Sequence, residues 1–174
     1  RRVSGEVRFD KMTRVLYSTD ASIYQIEPIG VVIPRNAEDV IAVVETAVQH
    51  GVSVLPRGGG TSLAGQTVGH SVVMDFSKYM RNVIEVNPEE RWVRTQPGIV
   101  LDALNRQLAP HGLLFAPDPS TSNRGNIGGA LGNNSCGAHS IMWGKTVDNV
   151  LELDFVLSDG HTARFNELDG AQLE

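Results

Sequence analysis

This sequence of 174 residues predicts an α+β fold in two subdomains, and three observations carry that expectation. Between residues 28 and 55 a β-branched run, an amphipathic helical pattern and a second apolar run follow one another in βαβ order. Beyond residues 77–81 the texture changes to alternating polar and apolar positions, the mark of antiparallel strands with one solvated face. Two long glycine-rich stretches, 56–66 and 117–139, each leave the end of a short apolar run. The expected division is 1–78 and 79–174.

Residues 1–27 mix charge with scattered apolar positions such as Val7, Phe9, Met12, Val15 and Leu16, and part of this segment is expected to be helical. Pro28 and Pro34 bracket Ile29-Gly30-Val31-Val32-Ile33, a strand. Asn36 is a suitable N-cap, Glu38 and Asp39 suit a first turn, and Val40, Ile41, Val43, Val44, Ala47 and Val48 recur at helical spacing. Gly51 stands where a left-handed residue ends a helix, so the helix runs about 37–50. Val52-Ser53-Val54-Leu55 reads as a buried strand, and Ser71 to Asp75 as another.

In the second half, Val83, Glu85 and Asn87 interleave with Ile84 and Val86. Pro88-Glu89-Glu90 turns, and Arg91 to Thr95 alternates again, completing a hairpin. Leu101, Leu104 and Leu108 define a helix that stops at His111-Gly112. The chain then repeats an earlier pattern: His50-Gly51, short strand and Pro56 correspond to His111-Gly112, short strand and Pro117. Leu151, Leu153, Phe155 and Leu157 alternate with polar neighbours, Asp159-Gly160 is a two-residue turn, and Thr162 to Phe165 returns.

The two glycine stretches hold the chemistry. In Pro56-Arg57-Gly58-Gly59-Gly60-Thr61-Ser62, three glycines free the backbone to turn successive N–H groups toward one point, which suits an anion such as phosphate. The hydroxyls of Thr61 and Ser62 and the charge of Arg57 add to it. A ligand-free tight turn is the alternative reading. Neither G-x-x-x-x-G-K-[ST] nor a good G-x-G-x-x-G is present, and a Rossmann-type dinucleotide domain is disfavoured by the missing glycines at the first βα turn. Residues 125–139 contain five glycines and no charged residue, which suits backbone packed against something flat and large.

Composition narrows the classes. Hydrophobic residues make up 41% and charged residues 20%, as in soluble globular chains, and the net charge of −5 argues against nucleic acid as a partner. A single cysteine, Cys136, excludes an intramolecular disulfide and an all-protein iron–sulfur or zinc–thiolate site in this chain. No apolar run approaches the roughly 20 residues of a membrane span. The chain starts Arg1-Arg2 without methionine, so it is expected to be a piece of a longer protein.

At the two loops the sequence resembles a known family. Pro-Arg-Gly-Gly-Gly-Thr-Ser-Leu-Ala-Gly-Gln at 56–66 is similar to the pyrophosphate loop of the FAD-linked oxidases, which share the flavin fold of vanillyl-alcohol oxidase and p-cresol methylhydroxylase. Pro-Asp-Pro-Ser at 117–120, Asn-Ile-Gly-Gly at 126–129 and Asn-Asn-Ser-Cys-Gly-Ala-His at 133–139 resemble the second flavin-contacting segment. Residues 17–22 and 144–150 also fit, most closely the branch of glycolate oxidase, D-lactate dehydrogenase and D-2-hydroxyglutarate dehydrogenase.

The resemblance implies a flavoprotein oxidoreductase that takes hydride from a D-2-hydroxy acid onto FAD. It places the cofactor on Arg57, Gly58, Gly59, Gly60, Thr61, Ser62 and Gln66. On the second segment it adds Pro117, Ser120, Ser122, Ile127, Gly128, Gly129, Gly132, Asn133, Ser135, Gly137 and His139. Thr61 takes the place where covalently flavinylated relatives carry histidine, implying non-covalent FAD. The family's substrate cap is absent from these residues, and no catalytic base is identified. A cofactor-binding module without turnover of its own is the alternative. An iron–sulfur electron-transfer domain or subunit is a partner the resemblance admits, in a cytoplasmic setting with the longer protein at most peripheral to a membrane. An exposed sheet edge at 151–165 would offer a route to self-association.

Single residues have plainer readings. Cys136 is expected to be a small buried hydrophobe, and Trp92 and Trp143 packing residues. His139 is either a structural donor or a flavin partner, His50 and His111 are helix ends, and His70 and His161 face solvent. No spacing suggests a metal. A side chain at Gly59 is expected to crowd the pyrophosphate or force an unfavourable backbone angle, costing the longer enzyme more FAD affinity than fold stability.

Overall fold

The computed structural model describes residues 2–167; Arg1 and residues 168–174, the last stretch of the expected second subdomain, lie outside them. A four-stranded sheet holds the first half: β1 (Glu6–Arg8), β2 (Gly30–Ile33), β3 (Val54–Arg57) and β4 (Val72–Asp75), in the spatial order β1-β2-β4-β3. β2 and β3 both run parallel to β4, and β1 runs antiparallel to β2. The βαβ order is present in sequence, but β4 sits between its two strands. Periodicity cannot order parallel neighbours, because it reports which faces are buried and not which edge is paired. The strand expected at 52–55 is displaced to 54–57 and is a half-buried edge strand.

β2 is buried along its whole length because both faces are covered. Val31, Ile33 and Val73 point one way, against Tyr17, Leu55 and Tyr79. Val32 and Met74 point the other way, onto Val43 of α2 (Ala37–Gln49). Asn36 caps α2 by accepting from the Asp39 amide, and Gly51 ends it at φ 62°. Of residues 1–27, only α1 (Lys11–Leu16) is helical, and β1 is a strand that the sequence pattern did not mark.

β1 is held by a carboxylate at the start of α2. Asp39 accepts from the amides of Ser4, Gly5 and Arg35 and from the Ser4 hydroxyl, at 2.7 to 3.0 Å. The N-terminal segment is thereby clamped to the helix rather than left frayed.

The second half has its own core. Ile99, Leu101, Leu104, Leu108, Ile127 and Ala130 are buried together, with Val83, Val86 and Val93 packed against them. The hairpin of β5 (Val83–Asn87) and β6 (Trp92–Thr95) departs from strict alternation by a register shift between Val83 and Glu85. That irregularity lets Val83 and Val86 face the core while Ile84 is exposed. α3 spans Leu101–Leu108 and presents its leucines inward as expected.

Residues 113–116 are not a strand. Asn105 of α3 exchanges hydrogen bonds with the backbone of Phe115, so these residues pair with a side chain instead of a sheet. The glycine-rich stretch is not all loop either: α4 (Ile127–Gly132) and α5 (Ser140–Trp143) form within or beside it. Burial of Ile127 and Ala130 against α3 outweighs the poor helix propensity of the glycines. β7 (Leu153–Val156) and β8 (Thr162–Phe165) pair as expected, but the turn is longer than two residues, closing with the Leu157 amide on the His161 carbonyl and Gly160 at φ 91°. Trp143 and Cys136 are exposed, not packed, because α5 and the loop before it lie on the surface.

The Asp39 clamp gives a stability prediction. Burial raises the carboxyl's pKa, but the donors of Arg35, Ser4 and Gly5 outweigh that and hold it below the ordinary value. Its contribution is therefore complete above the unfolded carboxylate range, near pH 4, and is lost as pH falls through the lower folded value. Asp39→Ala should lower unfolding free energy by about 2–4 kcal/mol at neutral pH. By thermal or urea melts, the gap from wild type should narrow below about pH 4.

Candidate functional site

The two glycine stretches, 67 residues apart at Gln66 and Asn133, meet. Gly58, Gly59, Gly60, Thr61, Ser62 and Thr67 form one wall of an open cleft. Pro119, Thr121, Gly125, Asn126, Gly129, Ala130, Asn133 and Ser135 form the other, with Leu101 at the base. At one point the Gln66 amide donates to Asn133 Oδ1 across 3.3 Å.

The contact between the walls explains the glycines. A Cβ on Gly58 would stand 2.6 Å from Asn126 Oδ1, and one on Gly59 would overlap the Arg124 carbonyl. The first loop thus lies flat on the second with no space for side chains. Asn126 itself is buried, donates from Nδ2 to the Gly98 carbonyl at 2.5 Å, and leaves Oδ1 without a partner among the described residues.

Each loop rests on a brace. Beneath the first, the Ala21 amide donates to the Gly60 carbonyl and Asp20 accepts from the amide and hydroxyl of Thr67. Beneath the second, fully buried Thr146 donates amide and hydroxyl to the Ser135 carbonyl, and the Val147 amide donates to Asn134 Oδ1. These braces are the segments 17–22 and 144–150 singled out by the sequence.

With the loops held this way, the cleft is a surface of hydrogen-bond donors. Among the described residues, no group accepts from the backbone N–H groups of residues 58–62, and the hydroxyls of Thr61, Ser62, Thr121 and Ser135 make no hydrogen bond. No charged side chain lines the cleft. Arg57, expected to meet the ligand's charge directly, is the last residue of β3, and its guanidinium donates to the carbonyls of Tyr17, Thr19 and Thr67. Burial draws its pKa down, with Asp20 and Asp75 acting against that. The phenol of Tyr17 donates to Asp75 at 2.5 Å; burial and that carboxylate push its pKa up.

The other expected site residues divide. Gly58 to Ser62, Gly129, Asn133 and Ser135 line the cleft. Ile127 points into the core and Gly128 is packed on Pro97. Pro117 is buried, and Gly137 is packed on the Asp118 carbonyl, so both serve the loop's shape. Ser120, Ser122 and Gly132 lie outside the lining, and Gln66 acts at the bridge. His139 is exposed, 3.8 Å from Asp118. Pro119, Thr121, Gly125, Asn126 and Ala130, all within the second glycine-rich stretch, also line the cleft, and Thr67 and Leu101 do so without having been expected there. Asn126 was the most legible of these, a buried-type position opening the Asn-Ile-Gly-Gly run, while Leu101 carried only a core signal.

Comparison with known proteins decides the class. A family model described as the FAD binding domain matches residues 28–166. The chain belongs to the FAD-binding domain family. It is 45% identical over 174 residues to a D-2-hydroxyglutarate dehydrogenase of Pseudomonas putida, covering 98% of this chain and 17% of that protein. It is 35% identical over 167 residues to the glycolate oxidase subunit GlcD of Bacillus subtilis, covering 93% of this chain and 35% of that protein. The chain thus spans about a sixth to a third of these relatives. In fold it resembles 6-hydroxy-D-nicotine oxidase from Arthrobacter nicotinovorans, with a TM-score of 0.82, 23% identity, and coverage of 94% of this chain and 36% of that one. The mixed fold expected from the sequence is therefore the FAD-binding oxidase type.

The residues present fit the family's cofactor. A row of unpaired N–H groups suits a diphosphate, unpaired hydroxyls suit a polyol chain, and the open face at Gly129, where a Cβ would touch nothing within 4 Å, leaves room for a flat ring. Loop contact at Gly59 can be tested apart from any ligand. Gly59→Val should push the walls apart, lowering the melting temperature by several degrees and raising protease sensitivity near 57–66, even with no flavin present. A melting temperature equal to wild type would show that the loops do not depend on that contact.

Proposed function

We propose that this chain forms the cofactor-binding part of a flavin-dependent oxidoreductase acting on a D-2-hydroxy acid of the lactate, glycolate or 2-hydroxyglutarate class. The unpaired row of N–H groups at 58–62, facing the small-residue wall of the second loop, is the observation that carries this reading. The amides of Gly58 to Ser62 hold the diphosphate. The hydroxyls of Thr61, Ser62, Thr121 and Ser135 meet the ribityl and ribose oxygens, and the Gly129 face of α4 receives the ring system. When bound, FAD supplies the two-electron acceptor for the substrate's hydride, while the chain's share is to bind, orient and exclude water. Binding is non-covalent, with Thr61 offering no nucleophile of the kind that attaches flavin.

The two cores, one before residue 80 and one between 83 and 130, support a division near residue 78 into two subdomains with the cofactor between them. Substrate recognition and the base that takes the hydroxyl proton belong to parts of the longer relatives that this chain does not match. The hairpin β7–β8, paired only with itself among the described residues, is an edge through which copies could associate.

Titration of the chain with FAD, followed by flavin fluorescence, should give saturable binding that ADP displaces. The affinity should be weak, since one side of the cleft is open, and D-2-hydroxyglutarate should reduce no dye. Absence of any saturation would sink the cofactor reading. Gly129→Leu separates site from scaffold: with open space at this Cβ and a better helix former in α4, the melting temperature should hold or rise. FAD affinity should drop by about tenfold or more, and unchanged affinity would remove α4 from the site.

A further inference from the structure

Among the described residues, Arg57 is in contact with no carboxylate. Its Nη1 donates to the carbonyls of Tyr17 at 3.2 Å and Thr67 at 3.0 Å, and its Nη2 to the carbonyl of Thr19 at 2.7 Å. The ring of Tyr17 lies 5.3 Å from the guanidinium carbon. Carbonyls and an aromatic face orient a cation and solvate it, but they leave its net charge intact.

The contrast with the other arginines is what makes this notable. Among the described residues, the half-buried Arg14 and Arg94 each pair with a carboxylate, Glu27 and Glu152 respectively. Arg35, Arg81, Arg91, Arg106 and Arg124 have no ion pair, but all are exposed to water. Arg57 alone among them is half-buried with no carboxylate in ion-pair range. Two carboxylates act on it across space without contacting it: Asp20, which accepts from Ser22 and Thr67, and Asp75, which accepts from Tyr17 and Ser77, so they offset part of its charge. Withdrawing a charge from water without a partner is unfavourable, so a site that keeps one there has a use for its field.

Position points to that use. The guanidinium lies directly beneath the glycine loop, where a Cβ on Gly60 would stand 2.7 Å from Nη2. Gly60 is at φ 63°, a left-handed conformation that lets the chain wrap over the guanidinium. The cleft wall itself is neutral.

We propose that Arg57 is the fixed counter-charge of the anion site, acting through the glycine loop without touching the ligand. Resting on the cofactor reading above, this makes Arg57 the residue that sets preference for a diphosphate-bearing flavin over the same ring system without phosphate. The three carbonyl bonds keep the charge in place, and no carboxylate contacts it.

The test titrates the chain and its Arg57→Gln and Arg57→Lys variants with FAD and with riboflavin, at low and high ionic strength. Arg57→Gln should weaken FAD by about tenfold or more and leave riboflavin affinity within about twofold, collapsing the preference between them. Arg57→Lys should keep most of that preference. The salt dependence of FAD binding should be largely lost in Arg57→Gln. Equal losses for FAD and riboflavin, or no loss for either, would show a purely structural clamp and overturn the proposal. Should circular dichroism show Arg57→Gln unfolded, Arg57→Lys and the wild-type salt dependence decide: a lysine variant without preference, or a wild-type affinity indifferent to salt, overturns it. A wild-type chain that binds neither flavin would remove the cofactor reading and this inference together, whereas equal losses with FAD still bound would remove this inference alone.

Discussion

The backbone of Gly58-Gly59 lies on the Arg124 carbonyl and the Asn126 side chain, too close for any Cβ, and the rest of the site depends on that contact. It joins an edge strand of one sheet to the segment that feeds α4 on another core. Each partner is firm for separate reasons. The first loop is suspended from Asp20 and Ala21, the second from Thr146 and Val147. Such bonds are worth about 1 kcal/mol each when satisfied and more when one partner is left buried alone. Neither brace touches the cleft, and both act by fixing where a carbonyl or a carboxylate sits.

That arrangement sets the chemistry available. Loops closed by side-chain packing would have filled the space between them; loops closed backbone to backbone leave a narrow cleft lined by N–H groups and hydroxyls. The Gly60 carbonyl is turned to the Ala21 amide, and the Thr67 carbonyl to Arg57. Asn126 is oriented the other way: its amide donates to the Gly98 carbonyl and its oxygen is held under the loop. The N–H groups of 58–62 and the hydroxyls of Thr61, Ser62, Thr121 and Ser135 are left without partners among the described residues, which suits an anionic ligand.

Much of this was legible. The N-cap at Asn36, the leucine face of α3, both hairpins and the two loops follow from local chemistry, and those signals need no knowledge of distant residues. The misreadings share one cause. The strand expected at 113–116 failed because Asn105 took its backbone bonds, and the alternation expected over 83–87 was broken by a register shift against β6. Residues 127–132 became helix because α3 offered a surface for Ile127 and Ala130. Local sequence also did not separate Ile127, Gly128 and Gly137, which lie outside the cleft lining, from the residues that form it, since a glycine required by a neighbouring carbonyl reads the same as one required by a phosphate.

By itself the sequence determined the elements and the composition of the two loops: which residues could form strands, which stretches lacked side chains, and the absence of charge from 125–139. Only the tertiary structure decided that β4 divides β2 from β3, that the loops meet at Gly59 and Arg124, and that Arg57 points inward to three carbonyls. The reason is physical. Propensity and periodicity are set within a few residues, whereas hydrogen-bond partners at a separation of 40 to 67 residues are set by which surfaces are left after the cores have packed.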